Sequence, residues 1–268
     1  MKITVITVNE IDKVLDEALR AYKTGEIQYT NIVFIGNAGI GRSSRIEMWI
    51  NKHLDEIAPH YLTPAVLMKE KNGMLIKDTK NGKSQYGFAD ADMNDLFADG
   101  AVCICKNLNH YAPKQIKPFD TIFSKRTYCN HARKKSYDLH NLFLAIATVY
   151  PDNYGYTVAD ISNIKSCSDT YFVIPVATEF KDYFREKTST YIDEEDKIEA
   201  FVKILSSPYF NFVLEKDEKF SPYTFMNLFD SCETGNKDEI LSNIRSDNRI
   251  GAKTLEMFQQ IFDEEKTK

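Results

Sequence analysis

Residues 36–44 read Gly36-Asn37-Ala38-Gly39-Ile40-Gly41-Arg42-Ser43-Ser44, and this stretch decides the fold of the 268-residue chain. Its spacing is that of a phosphate-binding loop, G-x-x-x-x-G-K-[ST], with arginine in place of lysine. In such a loop, backbone N–H groups converge on an anion at the N-terminus of a helix, whose dipole also favours negative charge. Ser43 supplies the hydroxyl that coordinates Mg²⁺ in such loops, while Arg42 presents a planar fork where a compact ammonium is usual.

The sequence on both sides of the loop has the required pattern. Asn31–Ile35 before it is a short apolar, β-branched run, typical of a buried parallel strand. After the loop, apolar residues recur at spacings of three and four, which predicts one helix that ends near Pro59. These apolar residues are Ile46, Trp49, Ile50, Leu54 and Ile57. The alternative is a glycine-rich turn without any ligand, because such motifs also occur by chance.

Apolar runs and helical patterns alternate along the rest of the chain. Further strands are predicted over Thr63–Met68, Ala101–Cys105, Leu142–Thr148 and Thr170–Val176. This alternation predicts a mostly parallel sheet covered on both faces by helices. From Glu179 onward the pattern is helical throughout. We therefore predict an α/β nucleotide-binding core over residues 1–178 and an all-α subdomain over residues 179–268.

Composition narrows the classes of protein further. Lysine and arginine total 34 against 39 acidic residues, a net charge of −5, which argues against a dedicated duplex-binding protein. A basic stretch from Lys114 to Lys135 is interpreted as a solvated face rather than a nucleic-acid contact. The five cysteines lack metal-type spacing and indicate reduced thiols. Without a long apolar run or a signal peptide, the sequence predicts a cytoplasmic protein that does not interact with membranes.

The order of these elements resembles that of the AAA+ ATPases, and within them the MoxR-like branch with its single-module phage and bacterial relatives. Val102–Pro113 is similar to the Walker B strand and the segment after it. Leu142–Pro151 resembles the sensor-1 strand, and Phe220–Phe225 the segment that carries sensor 2. The resemblance covers nearly the whole chain. It implies a P-loop NTPase fold with a three-layer α/β core and a small all-α C-terminal lid.

The resemblance also implies catalytic residues, and the chain departs from the family at each of them. Lys106 and Asn107 stand where the family has the aspartate that holds Mg²⁺ and the glutamate that polarises the attacking water. The sensor-1 asparagine is replaced at Val149 or Tyr150. The positions of the arginine finger and of the sensor-2 arginine carry Tyr171 and Tyr223. Because phosphoryl transfer depends on positioning and charge stabilisation by such groups, we predict no useful ATP turnover.

Three functional hypotheses follow from these residues. The first is a pseudo-ATPase that binds ATP or ADP through Gly36–Ser44, with Mg²⁺ binding at Ser43 weakened by Lys106, and that acts by assembly. The resemblance implies a ring of about six subunits and a partner with a von Willebrand A-type domain. The second is a structural or adaptor protein that binds no nucleotide. The third is an active ATPase that takes its acids from elsewhere. The candidates are Asp90, Asp92, Asp95 and Asp99, whose ordinary interpretation is a solvated acidic loop or a helix N-terminus.

Overall fold

The computed structural model describes residues 3–63, 75–80, 83–88, 96–130, 135–151, 159–191, 194–216, 220–247, 250 and 252–264. The chain divides into two compact units. The first unit comprises Met1–Ile6, Glu10–Gly36 and Arg42–Val173. The second comprises Thr7–Asn9, Asn37–Gly41 and Ile174–Lys268. Most of the glycine-rich loop is thus grouped with the C-terminal part of the chain, whereas the strand before it and the helix after it belong to the first unit.

A six-stranded sheet forms the centre of the first unit, in the order β1-β10-β2-β9-β6-β3. The four neighbouring pairs from β10 to β3 are parallel. The central strands β6 and β9 are buried at every residue, because their sequences are apolar on both faces. The strands of this sheet are β1 (Ile3–Thr7), β2 (Thr30–Ile35), β3 (Ala58–Tyr61), β6 (Ala101–Cys105), β9 (Leu142–Val149) and β10 (Asp169–Ile174).

Helices and two hairpins accompany this sheet. The helices are α1 (Glu10–Lys23), α2 (Arg42–Lys52), α3 (Pro113–Lys125) and α4 (Ser162–Ser166), and Leu108–His110 forms one 3₁₀ turn. The hairpins pair β4 (Leu75–Lys80) with β5 (Lys83–Phe88) and β7 (Thr127–Asn130) with β8 (Lys135–Asp138). Phe119 and Phe123 of α3 are buried in the core of this unit.

Two polar contacts join α1 to α2. Arg45 donates to both carboxylate oxygens of Asp12, at 2.8 and 2.7 Å. The indole of Trp49 donates to Asp16 at 2.8 Å, although the ring itself is buried. Such a bidentate pair fixes direction as well as distance. The helix that begins at Arg42 is therefore held in one orientation within the first unit.

The second unit has its own core, which consists largely of phenylalanine rings. Phe184, Phe201 and Phe229 are each fully buried. The Phe184 and Phe201 rings each meet Phe229 edge-on, with centroids 5.1 Å apart, a favourable arrangement for aromatic pairs. The helices of this unit are α5 (Ala177–Thr188), α6 (Glu195–Ser206), α7 (Pro208–Lys216), α8 (Pro222–Ser231), α9 (Lys237–Ser246) and α10 (Ala252–Glu264).

The strands predicted beside the loop and at the centre of the sheet are confirmed, but the segment after α2 was predicted wrongly. The helix ends at Lys52 rather than near Pro59. Pro59 lies in β3, and Leu54 is 54% exposed instead of facing the core. Proline is tolerated in β3 because that strand lies at the edge of the sheet. The strand predicted over Thr63–Met68 lies, apart from Thr63, outside the described residues.

The basic stretch contains one residue that the solvated-face interpretation does not fit. Arg126 adopts a left-handed conformation, with φ 51°. Its guanidinium donates to the carbonyl of Leu142 at 2.9 Å and lies 4.5 Å from the centre of the Tyr29 ring. The described lysines of the stretch from Lys114 to Lys125 are exposed, while Arg133 and Lys134 lie outside the described residues. Arg126 is therefore a structural residue.

Candidate nucleotide site

The glycine-rich loop places glycine where a side chain would not fit. Gly39 and Gly41 have φ values of 74° and 101°, in the region that favours glycine. A Cβ atom on Gly39 would lie 2.5 Å from the hydroxyl oxygen of Ser221. The Gly39 carbonyl also accepts a hydrogen bond from the backbone N–H of Tyr223, at 3.1 Å. Within the second unit, the loop is thus packed directly against the start of α8.

The structure brings the predicted sensor-2 position to the loop, but without a charge. Ser221 caps α8, since its hydroxyl accepts from the Thr224 N–H at 3.2 Å. Tyr223 follows in the first turn of the helix, where its N–H bonds to Gly39 and its side chain is 62% exposed. A phenol at this position supplies no cation for a phosphate.

Arg42, the residue in place of the loop lysine, points its guanidinium at the backbone. One guanidinium nitrogen donates to the carbonyl of Phe34, at 3.0 Å, and to that of Val149. The residue is only 5% exposed, and its guanidinium lies 5.6 Å from the centre of the Tyr150 ring. Arginine can reach these carbonyls, at the carboxyl ends of β2 and β9, because its stem is long and it carries several donors.

Lys106, which the sequence predicts at the position of the Walker B aspartate, forms an ion pair with Glu47 of α2. Its ammonium also lies 5.0 Å from the centre of the Tyr61 ring, at the end of β3. Burial raises the pKa of Tyr61, and the negative charge of Glu47 raises it further. The predicted Walker B position thus carries a cation, and the nearby carboxylate of Glu47 is already paired with that cation.

Asn107, which the sequence predicts at the position of the Walker B glutamate, joins the end of β6 to the end of β9. Its backbone is left-handed, with φ 51°, a conformation that asparagine adopts more readily than most residues. Its N–H donates to the hydroxyl of Thr148 at 2.9 Å, and Thr148 is fully buried. An amide cannot accept the proton of an attacking water. Asn107 therefore has a structural contact here but no basic group.

The sensor-1 segment is held by a second asparagine. The Asn109 side chain donates to the Tyr150 carbonyl at 2.8 Å and accepts from the Tyr150 N–H at 2.9 Å. Asn109 is fully buried, so this pair of bonds satisfies groups that would otherwise be costly to bury. The carbonyl of Val149 accepts hydrogen bonds from Arg42 and from the N–H of Gly36, and its side chain is buried in the core.

Tyr171, at the predicted finger position, lies inside strand β10. It pairs in register with Phe34 of β2, and the two rings are 5.9 Å apart. Burial raises the pKa of Tyr171, with further contributions from the charges of Asp169 and Glu17. A phenol that stays neutral and is partly buried cannot replace the charge of an arginine finger.

The described residues do not fit a magnesium ion. Ser43 follows Arg42 in the first turn of α2, and Lys106, the predicted counterpart of the metal-binding acid, is a cation paired with Glu47. Within the described ranges, no group of three His, Cys, Asp or Glu residues is placed to hold a metal ion. Mg²⁺ prefers oxygen ligands, usually including one or two carboxylates. No step of the chemistry can therefore be assigned to Mg²⁺ here.

Asp99, the one proposed replacement acid within the described residues, does not lie near Lys106. Asp99 is exposed and lies in the turn just before β6. Lys106 directly follows the other end of that five-residue strand, so about 16 Å of strand separates the two positions. Asp90, Asp92 and Asp95 lie outside the described residues.

Comparison with solved structures identifies the fold. RuvB of Thermotoga maritima, described as a Holliday junction branch migration motor, matches 88% of this chain and 68% of its own, with 14% sequence identity and a TM-score of 0.50. A variant of the same protein matches 95% of this chain and 68% of its own, at the same identity and TM-score. RuvB is an AAA+ ATPase. The chain has the AAA+ fold.

This confirms the predicted class, an α/β P-loop fold with a mostly parallel sheet and a helical C-terminal region. No protein-family model and no curated protein sequence matches the chain. At 14% identity the likeness concerns the AAA+ fold alone. None of the helices in the described ranges has the length and apolarity needed to cross a membrane.

Two residues of the site were missed in the sequence. Glu47 lies on α2, and no local pattern links it to Lys106, 59 positions away. Asn109 sits inside the segment that resembles the family's Walker B region, but nothing in its neighbours indicates that it clamps Tyr150. The lysine at position 106 could have indicated that an acidic partner lies nearby, because a partly buried ammonium is usually paired. The sequence alone does not show that this partner is Glu47.

Proposed function

We propose that this protein is an AAA+ pseudo-ATPase, which holds adenine nucleotide at its glycine-rich loop without hydrolysing it and acts through assembly. The observation that carries the proposal is the ion pair between Lys106 and Glu47 at the end of β6. Hydrolysis in P-loop proteins needs a metal bridging the phosphates and a group that positions the attacking water. A lysine at the first position and an amide at the second, Asn107, supply neither.

Phosphate release from ATP tests this proposal. Purified protein in millimolar ATP and Mg²⁺ is expected to give no steady turnover above a blank without protein. Ser43→Ala is the matched control, because it removes the hydroxyl that a working P-loop needs for its metal. Steady turnover that disappears in Ser43→Ala would come from this site and would refute the proposal. Turnover that survives in Ser43→Ala would instead indicate a contaminating enzyme.

A second candidate function, a nucleotide-free adaptor, has one observation in its favour. The Arg42 guanidinium donates to the carbonyls of Phe34 and Val149. A guanidinium that is bonded to these two carbonyls is less available to bind phosphate. Titration with a fluorescent ATP analogue separates the two candidates, since the adaptor gives no saturable binding at millimolar nucleotide.

Assembly is the remaining part of the proposal. From the resemblance, we propose that the protein belongs to the MoxR-like branch and is cytoplasmic. We also propose that it forms a ring of about six subunits and binds a partner with a von Willebrand A-type domain. Light scattering during size-exclusion chromatography measures the subunit number directly. A monomer at all concentrations, with and without nucleotide, would contradict ring formation while leaving the absence of hydrolysis untouched.

A further inference from the structure

Two cations lie at the same edge of the first unit's sheet. In the parallel pair of β6 and β9, Cys105 is in register with Ala147. Lys106 follows Cys105 directly, and Arg42 donates to the carbonyl of Val149 at the end of β9. Ligands of open parallel sheets bind at the carboxyl ends of the strands. This edge thus carries an ammonium that is partly exposed and, on the neighbouring strand end, a buried guanidinium bonded to backbone carbonyls.

The charges at this edge suit a polyanion without a metal. Arg42 and Lys106 contribute two positive charges, and Glu47 contributes one negative charge, which leaves an excess of one positive charge among the three. The side chains of Lys106 and Glu47 are 35% and 45% exposed. An ion pair with this exposure is screened by water and contributes little, so the Lys106 ammonium can exchange the carboxylate for another anion. A divalent cation would meet that ammonium instead of a carboxylate.

We infer that the site binds nucleoside di- or triphosphate in its metal-free form, with the Lys106 ammonium as the counter-charge to the phosphates. The inference rests on the proposed function and names the ligand form that this function takes. Upon binding, Lys106 exchanges Glu47 for a phosphate oxygen. The Mg²⁺ complex of the nucleotide binds less well, because the metal removes negative charge from the phosphates and is repelled by Lys106.

Titration of the 268-residue chain with fluorescent ATP and ADP analogues tests the inference. Saturable binding is expected in EDTA, with a higher Kd when Mg²⁺ is present in excess. Lys106→Ala is expected to weaken binding in EDTA about tenfold, the effect of losing one charge-assisted hydrogen bond. Glu47→Gln is expected to tighten it, because Lys106 no longer has a competing carboxylate. Lys117→Ala, an exposed lysine on α3, is the charge-matched control and leaves the Kd unchanged.

The outcomes separate this inference from the proposed function. Binding that requires Mg²⁺, or a Kd in EDTA that Lys106→Ala does not change, would overturn the inference and leave the pseudo-ATPase standing. No saturable binding of nucleotide in either buffer would overturn both and favour the nucleotide-free adaptor. Steady ATP hydrolysis that depends on Ser43 would overturn the proposed function instead. Circular dichroism of each variant shows whether it is folded, and the opposite effects expected for Lys106→Ala and Glu47→Gln exclude a common loss of structure.

Discussion

Replacing Gly39 with alanine tests how the loop is packed against α8. Gly39 has φ 74°, and an added Cβ would lie 2.5 Å from the Ser221 hydroxyl and 3.0 Å from the Tyr223 Cβ. Gly25 has nearly the same φ, 75°, but an added Cβ would meet nothing within 4 Å. The two substitutions therefore share the backbone cost of a left-handed alanine and differ only in the collision.

The expected magnitudes follow from these distances. The left-handed conformation costs alanine about 1–2 kcal/mol, and the loss of glycine's freedom in the unfolded chain returns about 0.4–1 kcal/mol. Gly25→Ala should thus lower the free energy of unfolding by about 1 kcal/mol. Gly39→Ala carries the same terms plus overpacking of about 1–3 kcal/mol, so we expect a total of about 2–4 kcal/mol.

Urea unfolding followed by far-UV circular dichroism measures the free energy of unfolding of the wild type and of both variants. Combining Gly39→Ala with Ser221→Ala removes the nearest colliding atom and should recover part of the loss, which a double-mutant cycle detects. Equal losses for Gly39→Ala and Gly25→Ala would refute the packing of the loop on α8.

Two further substitutions probe contacts away from the loop glycines. Arg42→Ala removes a buried donor from the carbonyls of Phe34 and Val149, so we expect the free energy of unfolding to fall by about 2–4 kcal/mol. Thermal unfolding measures this change, and an unchanged midpoint would contradict the contact. The Glu239 carboxylate accepts hydrogen bonds from the backbone N–H of Glu233, from Thr234 and from the N–H of Gly235, which lower its pKa from 4.5 to about 2. Its contribution to stability is thus complete above pH 4.5 and is lost as the pH falls towards 2. The difference in unfolding midpoint between wild type and Glu239→Gln should shrink over that window, and a constant difference would rule out this role.

The elements that the sequence predicted well are those whose pattern is local. The runs at Ala101–Cys105 and Leu142–Thr148 are apolar on both faces, and only a strand buried in a parallel sheet accommodates such runs at this length. The helix after the loop was predicted too long, because Leu54 and Ile57 continued its spacing. The spacing of apolar residues does not show that strand β3 begins at Ala58. The chain therefore needs a short loop between the helix and that strand, and this loop ends the helix early.

Residue type and short-range spacing are enough to predict the glycine loop between a strand and a helix and the apolar strands around it. They also show a lysine and an asparagine at positions 106 and 107, where the resemblance implies carboxylates. The contacts of these two residues and of Arg42 become visible only in the folded chain. Lys106 reaches Glu47 across 59 positions, and Arg42 reaches Val149 across 107. Such partners depend on which strands lie side by side, and strand order is set by packing of the whole sheet rather than by any short segment.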